Sequence, residues 1–174
     1  EVIRSTLASH ASHPDVAPGS FNILTTGNSI LILDRPSPSW FLRPVLRALR
    51  DYHRARLLTV FSGLNGTTRE DTGEIGRLLG RISNILIVSD DEPTDAERIA
   101  LAMEGARRNE LPPMLIPVTS EVEGVRRAMG LARPKDVIYV LSDDPAALWA
   151  SIKQLGPLVQ LAPTAPAMRP SPAV

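Results

Sequence analysis

Leu57-Leu58-Thr59-Val60-Phe61-Ser62-Gly63-Leu64-Asn65-Gly66-Thr67-Thr68-Arg69-Glu70-Asp71 reads as an apolar run, a turn with two glycines, and the polar start of an amphipathic segment. Five apolar or β-branched residues in a row suit a strand buried on both faces, as in a parallel sheet. Two glycines three apart let the backbone turn sharply or approach a ligand closely. Thr67 or Thr68 can cap the helix that follows, and Glu70 and Asp71 suit its positive end. Such a junction can hold phosphate or carboxylate on free backbone N–H groups. No Lys follows the second glycine and no G-x-G-x-x-G is present, so neither a Walker loop nor a dinucleotide fingerprint is read here. Every parallel α/β protein needs turns of this kind, and connection is their ordinary role.

Working outward, the next helix carries Ile75, Leu78, Leu79 and Ile82 at i, i+3, i+4, i+7. Strands are expected at Ile85–Val88, Met114–Val118 and Val137–Leu141. Helices are expected at Thr94–Arg108, after Ser120 with Val122, Val125 and Met129, and at Ala146–Leu155. Ser120 and Glu123 have capping-box spacing. Upstream, Phe21–Thr25 and Ser29–Leu33 form a hairpin across Thr26-Gly27-Asn28. Ser39 is expected to cap a helix from Trp40 to Tyr52, with Phe41, Val45, Leu46 and Leu49 as its stripe and Pro44 in the first turn. Trp40 and Trp149 suit core or edge packing. Strands alternating with helices predict an α/β, Rossmann-like, mainly parallel sheet with helices on both faces and one antiparallel edge strand.

Length and composition narrow the classes. The 174 residues suffice for one core, and 43% hydrophobic with 22% charged residues is ordinary for a globular chain. The organisation expected is an N-terminal helix and connector over 1–19, one domain over 20–156, and a Pro/Ala-rich flexible tail over 157–174. Nineteen basic residues balance 19 acidic ones, so no global field favours a nucleic acid or a membrane as partner. The absence of Cys excludes disulfides, thiolate metal sites and Cys nucleophiles. His10, His13 and His53 fall in no metal-ligand pattern, and no metal site is expected. No G-x-S-x-G supports serine hydrolysis. No apolar run approaches about 18 residues and no signal-peptide pattern appears, so a cytoplasmic location is expected. The chain begins at Glu1, not Met, and is expected to be a piece of something longer.

In parallel sheets, ligands sit beyond the carboxyl ends of the strands. That edge gathers Asp34, Gly63–Arg69, Asp90–Glu92 and Asp143–Asp144. The acids can hold Mg²⁺, a ribose hydroxyl or an amine-bearing substrate. They can equally cap helices, the commoner role for at least one Asp in each of the last two groups. Asp34 ends an apolar strand before two prolines, so function and structure weigh evenly. Arg69 can neutralise a phosphate or carboxylate, or merely sit exposed in a first turn.

Four segments resemble the C-terminal domain of the Mur ligases, most closely that of cyanophycin synthetases, over roughly residues 2–155. Pro18-Gly19-Ser20-Phe21-Asn22 is similar to an opening P-G-R-x-N, and Ser29–Ser39 stands at the place of a strand and D-Y-A-H-N-P. Val60–Asp71 corresponds to a V-F-G-x-x-G-D-R-R-D-E-D-like loop, and Ala132-Arg133-Pro134-Lys135-Asp136-Val137-Ile138 resembles A-R-P-G-D-x-V. The resemblance implies a domain that closes over ATP and Mg²⁺ held mainly by a central ATPase domain of the same or a neighbouring chain. It also implies help in placing an amino-acid substrate. Such enzymes activate a carboxylate as an acyl phosphate, which an amine attacks to form an amide. Carried over, Asp34, Gly63, Asn65, Gly66 and Arg69 are nucleotide-facing, while Asp90 and Asp91 occupy the strand end that helps select the amino acid. No residue of the chain is expected to be catalytic, and alone it cannot ligate. Two departures stand out: Arg35-Pro36-Ser37 replaces Tyr-Ala-His, and Thr67 or Thr68 replaces the loop Asp. They support the alternative of a degenerate, non-catalytic module kept for domain packing or homo-oligomerisation. A third option is a free-standing small-anion binder using the Gly63–Arg69 turn.

Overall fold

The computed structural model describes residues 13–26, 29–52, 56–62, 67–89 and 96–154, the side chains of Asp51 and Tyr52 excepted. The expected N-terminal helix and C-terminal tail lie outside these residues, as do Gly63, Asn65, Gly66, Asp90 and Asp91. The elements run β1 (Asn22–Thr26), β2 (Ser29–Asp34), α1 (Ser39–Tyr52), β3 (Leu57–Phe61), α2 (Arg69–Ile82), β4 (Ile85–Ser89), α3 (Ala96–Arg107), β5 (Met114–Val118), α4 (Glu121–Leu131), β6 (Val137–Leu141) and α5 (Pro145–Gln154).

Six strands form one sheet in the order β1-β2-β6-β3-β4-β5. Among the described strands only β1 and β2 pair antiparallel, with β1 at an edge as expected; the remaining pairs are parallel. The period of two along each strand divides the core between two faces. Ile32, Phe61, Leu86, Val88, Tyr139 and Leu141 belong to a cluster with apolar residues of α1, α2 and α3. Leu31, Leu33, Val60, Ile87, Ile138 and Val140 belong to a second, with Val125 and Ala128 of α4 and Leu148, Trp149 and Ile152 of α5. Burial on both faces explains why β3, β4 and β6 are continuous apolar runs. β5 closes the other edge with Met114 exposed, and Pro117 is tolerated there because an edge strand has hydrogen-bonding positions that pair with nothing.

Two helices depart from expectation. In α1 the buried stripe is Leu42, Leu46 and Leu49, with Val45 half-buried, and Phe41 faces outward at 49% exposure. The helix starts at Ser39 itself, so Ser39 is not its cap: the Phe41 and Leu42 N–H groups donate to the Pro38 carbonyl. The Ser39 N–H makes a long contact, 3.4 Å, to Asp71 Oδ1 of α2. Pro44 therefore falls in the second turn, where the Trp40 carbonyl loses its helical donor. Ser120 caps α4 through the Glu123 N–H at 3.2 Å, but the Glu123 carboxylate reaches back to Thr119, not Ser120, so the box is displaced by one residue.

Helices α2 and α3 pack backbone to backbone. A Cβ built on Gly76 would lie 2.0 Å from the Ala102 carbonyl oxygen, and one on Gly105 would lie 2.0 Å from that of Gly73. Only glycine permits that approach. Among the described residues, no helix is long and apolar enough to cross a membrane.

Candidate functional site

Four strands end side by side, because Asp34 pairs with Leu141, Leu141 with Phe61, and Phe61 with Val88. On the face toward α1 and α2, Asp34 is the polar terminus of a buried column. Its Oδ1 accepts the Arg35 N–H at 2.9 Å, and its Oδ2 accepts the hydroxyl of Tyr139, a fully buried residue of β6, at 3.0 Å. Burial raises the Asp34 carboxyl above its ordinary value, against the Arg35 and Tyr139 hydrogen bonds. Burial, and then the Asp34 charge, pushes the Tyr139 phenol well above its own. The Phe21 N–H also acts on this carboxylate, which still retains capacity for a further donor. The geometry suits accepting a bond from a ligand hydroxyl or N–H.

Beyond Asp34 the chain turns through Arg35-Pro36-Ser37-Pro38 into α1. Of the core or edge packing expected for Trp40, the core is excluded, because the side chain is 72% exposed; its ring meets Phe41 edge-on at 5.8 Å between centroids. Trp149, by contrast, is buried under the N-terminal connector and donates its indole N–H to Asp15 at 2.7 Å. Pro38 and Trp40 line a shallow depression of about 550 Å³ with Thr68, Glu70, Asp71 and Glu74. This hollow lies at the N-termini of α1 and α2, where partial positive charge collects.

On the opposite face the strand ends are closed by polar contacts. Ser62, Ser89 and Ser142, all buried, follow the register across β3, β4 and β6. Glu121, the first residue of α4, accepts the Ser62 hydroxyl on one oxygen and the Ser142 hydroxyl on the other, the latter at 2.8 Å. The Ser62 hydroxyl also lies 2.8 Å from the Leu141 carbonyl, and the Ser89 hydroxyl has no partner among the described residues. One carboxylate thus joins two adjacent strand ends to a helix N-terminus, whose dipole favours its charge. Sequence reading missed Glu121, Ser62 and Ser142. The available signal was a Ser directly after each of two apolar strands.

Arg69 lies at the start of α2, on the surface, paired with Glu97 of α3. It therefore shares its charge with a carboxylate and is not held toward Asp34. Asp144 caps α5 through the Ala147 N–H at 3.0 Å, the structural role expected for one Asp of that pair. Thr68, not Thr67, caps α2. No group of three or more His, Cys, Asp or Glu able to hold a metal ion occurs among the described residues.

Two of the segments quoted for the family resemblance are rigid turns. Gly19 has φ +75°, and a side chain there would meet Pro145 at 2.4 Å. The Asn22 amide, fully buried, accepts the Gly19 N–H at 2.7 Å and donates to the Ala17 carbonyl at 3.0 Å. Asp136, 2% exposed, accepts Arg56 at 2.6 Å and the Arg133 N–H at 2.8 Å. Burial acts to raise its carboxyl, but Arg56 and Arg133 together hold it below its ordinary value.

Comparison with known proteins gives a consistent result. A family model described as "Mur ligase, glutamate ligase domain" matches residues 42–143. A UDP-N-acetylmuramoyl-L-alanyl-D-glutamate--2,6-diaminopimelate ligase of Clostridium tetani is 27% identical over 129 residues, covering 71% of this chain and 26% of that protein. A second such ligase, from Clostridium acetobutylicum, is 29% identical over 133 residues with the same coverage of both chains. The chain thus spans about a quarter of the length of these curated relatives. Among solved structures, a murein peptide ligase of Psychrobacter arcticus superposes with a TM-score of 0.62 at 10% identity, over 80% of this chain and 30% of that one. MurF ligase of Thermotoga maritima, solved in complex with ADP, gives 0.56 at 16% identity, over 87% and 35%. At these identities the structural likeness carries the fold.

Proposed function

The chain belongs to the Mur ligase, glutamate ligase domain family, and from that premise we propose that it is the C-terminal closing domain of an ATP-dependent amide ligase. In this reading the parent enzyme holds ATP and Mg²⁺ on a central ATPase domain. A substrate carboxylate takes the γ-phosphoryl group and releases ADP. The amine of an amino acid then attacks the acyl carbon, forming the amide and releasing phosphate. This chain supplies the wall that closes on the nucleotide, and the enzyme works in the cytoplasm.

One observation carries the assignment of the edge: Asp34, buried enough to be set by Tyr139 and Arg35, keeps acceptor capacity at the carboxyl terminus of β2. That arrangement supports a contact with a nucleotide hydroxyl. Arg69, tied to Glu97, takes a lesser part unless closure exchanges that partner for phosphate. The cyanophycin-synthetase type remains our finer reading, resting on the turns Pro18–Asn22 and Ala132–Asp136. The two curated relatives are named as 2,6-diaminopimelate ligases instead, so the acceptor amino acid must be assayed across a panel.

The test is made in the parent protein. Amino-acid-dependent ADP release should fall when Asp34 becomes Ala, with KM for ATP rising more than kcat falls. A parent without a G-x-x-x-x-G-K-[ST] domain, or one whose ADP release ignores this substitution, would leave the degenerate packing module as the better description. The isolated chain should bind ATP weakly or not at all, and sub-micromolar affinity by calorimetry would contradict the division of labour.

A further inference from the structure

Helices that follow parallel strands run back toward the amino edge of the sheet, so the last turns of α1 and α2 lie away from Asp34. From Ser39 to Arg50 the helix covers about 16 Å at 1.5 Å per residue. There the two helices enclose a groove of about 210 Å³ lined by Arg43, Leu46, Arg47, Arg50, Leu78, Arg81 and Ile82. Four of the seven lining residues are Arg and none is acidic. Arg43, Arg47 and Arg50 share one stripe of α1 by their i, i+4, i+7 spacing, and Arg81 faces them from α2.

Ordinary helix electrostatics accounts for part of this set. Arg50 and Arg81 stand in last turns, where cations complement the helix dipole. Arg43 is paired with Glu74 at 2.9 Å, but Glu74 is shared with Arg77 at 2.7 Å. Arg47 is in no last turn, and like charges at i and i+4 destabilise a helix. Arg47 and Arg81, both exposed, have no carboxylate partner among the described residues. Leu46 and Leu78 are buried beneath them and Ile82 half-buried, so the guanidinium groups stand over an apolar floor that weakens solvent screening.

We propose that this groove is a binding site for a compact, multiply charged phosphate anion of diphosphate size. The groove's volume of about 210 Å³ admits linked phosphoryl groups. Planar guanidinium forks match phosphate oxygens bidentately, and arginines on two helices can grip both ends of a diphosphate. The site is separate from the Asp34 edge and does not rest on the ligase reading.

The experiment is calorimetric titration of the full chain with sodium diphosphate, orthophosphate and ADP at low and moderate salt. Diphosphate should bind more tightly than orthophosphate, with affinity falling as salt rises. Arg47→Glu with Arg81→Glu should weaken it by about tenfold or more. Arg126→Glu with Arg127→Glu, exposed on α4, should leave it unchanged. ADP binding equal to or weaker than diphosphate would mark free phosphate chemistry as the source, and tighter binding a nucleoside diphosphate. No diphosphate binding, an equal loss in the α4 control, or preference for a single-stranded oligonucleotide over diphosphate would each overturn the proposal. Far-UV circular dichroism of both charge-reversal variants confirms that exposed substitutions leave the fold intact.

Discussion

Replacing Gly76 by Ala should destabilise the protein, whereas the same change one turn earlier, at Gly73, should stabilise it. At Gly76 the new Cβ would lie 2.0 Å from the Ala102 carbonyl oxygen. An ordinary carbon–oxygen contact is about 3.3 Å or longer, so α2 and α3 must part by about 1.3 Å at that point. Overpacking costs about 1–3 kcal/mol, and the upper end applies because the obstacle is backbone. The gain of about 1 kcal/mol from replacing a helical Gly leaves a net loss of about 2 kcal/mol. At Gly73 the nearest atom is the Leu101 carbonyl oxygen at 3.9 Å, so the helix gain stands alone. The two variants should differ by about 3 kcal/mol, or about 1.5 M in urea midpoint for an m-value near 2 kcal/mol/M. Urea titrations followed by far-UV circular dichroism and Trp fluorescence measure this directly. Gly130→Ala on α4, with no atom within 4 Å, calibrates the propensity gain. If Gly76→Ala raised the midpoint as much as Gly73→Ala, the backbone contact between these helices would be wrong.

Three further outcomes follow from the buried polar groups. Arg56→Met strands the buried Asp136 carboxylate and should cost about 3 kcal/mol; because the folded Asp136 is held low, its stabilisation is present above the unfolded carboxyl value and lost as pH falls through the folded one, so the variant's acid limb should flatten. An acid limb matching the parent's would exclude the pair. Asp34 has the opposite sign: its raised carboxyl makes stability fall as pH rises from the ordinary carboxyl value through the raised one, and Asp34→Asn should erase that slope in midpoint-against-pH curves. Glu121→Ala deprives the buried Ser142 hydroxyl of its acceptor, leaves Ser62 only the Leu141 carbonyl, and should cost about 1–3 kcal/mol, while Glu121→Gln, which keeps one acceptor, should cost less. Equal thermal midpoints for these two variants would remove the serine contacts from the explanation.

The strands were legible because two-sided burial writes itself as runs of apolar or β-branched residues, as in Leu57–Phe61 and Val137–Leu141. Helix faces were legible where one stripe dominates, as with Ile75, Leu78 and Leu79 of α2. In α1 two stripes overlap, Phe41 with Val45 and Leu42 with Leu46 and Leu49. The sheet beneath selects the second and turns Trp40 and Phe41 outward. Long-range polar pairing was not legible at all. Nothing local to Glu121 announces that residues 59 and 21 positions away will donate to it, nor that Tyr139 will reach Asp34 across 105. The carboxyl edge was found by topology and Asp34 was placed on it. Gly63, Asn65, Gly66, Asp90 and Asp91 lie outside the described residues, so their roles rest on the family pattern.

Strand β6 comes last in sequence among the described strands and sits in the middle of the sheet, between β2 and β3. A chain emerging from the ribosome can pair β1 with β2, and β3 with β4 and β5, but cannot join the two groups until Leu141 appears. From Asp34 to Leu141 is 107 residues by their numbers (141 − 34), or about 5–20 s at 5–20 residues per second. For that interval β2 and β3 each present an open, apolar edge, the kind that templates pairing between nascent chains. Any truncation before Val137 would make the exposure permanent and yield two small sheets lacking the strand that unites them.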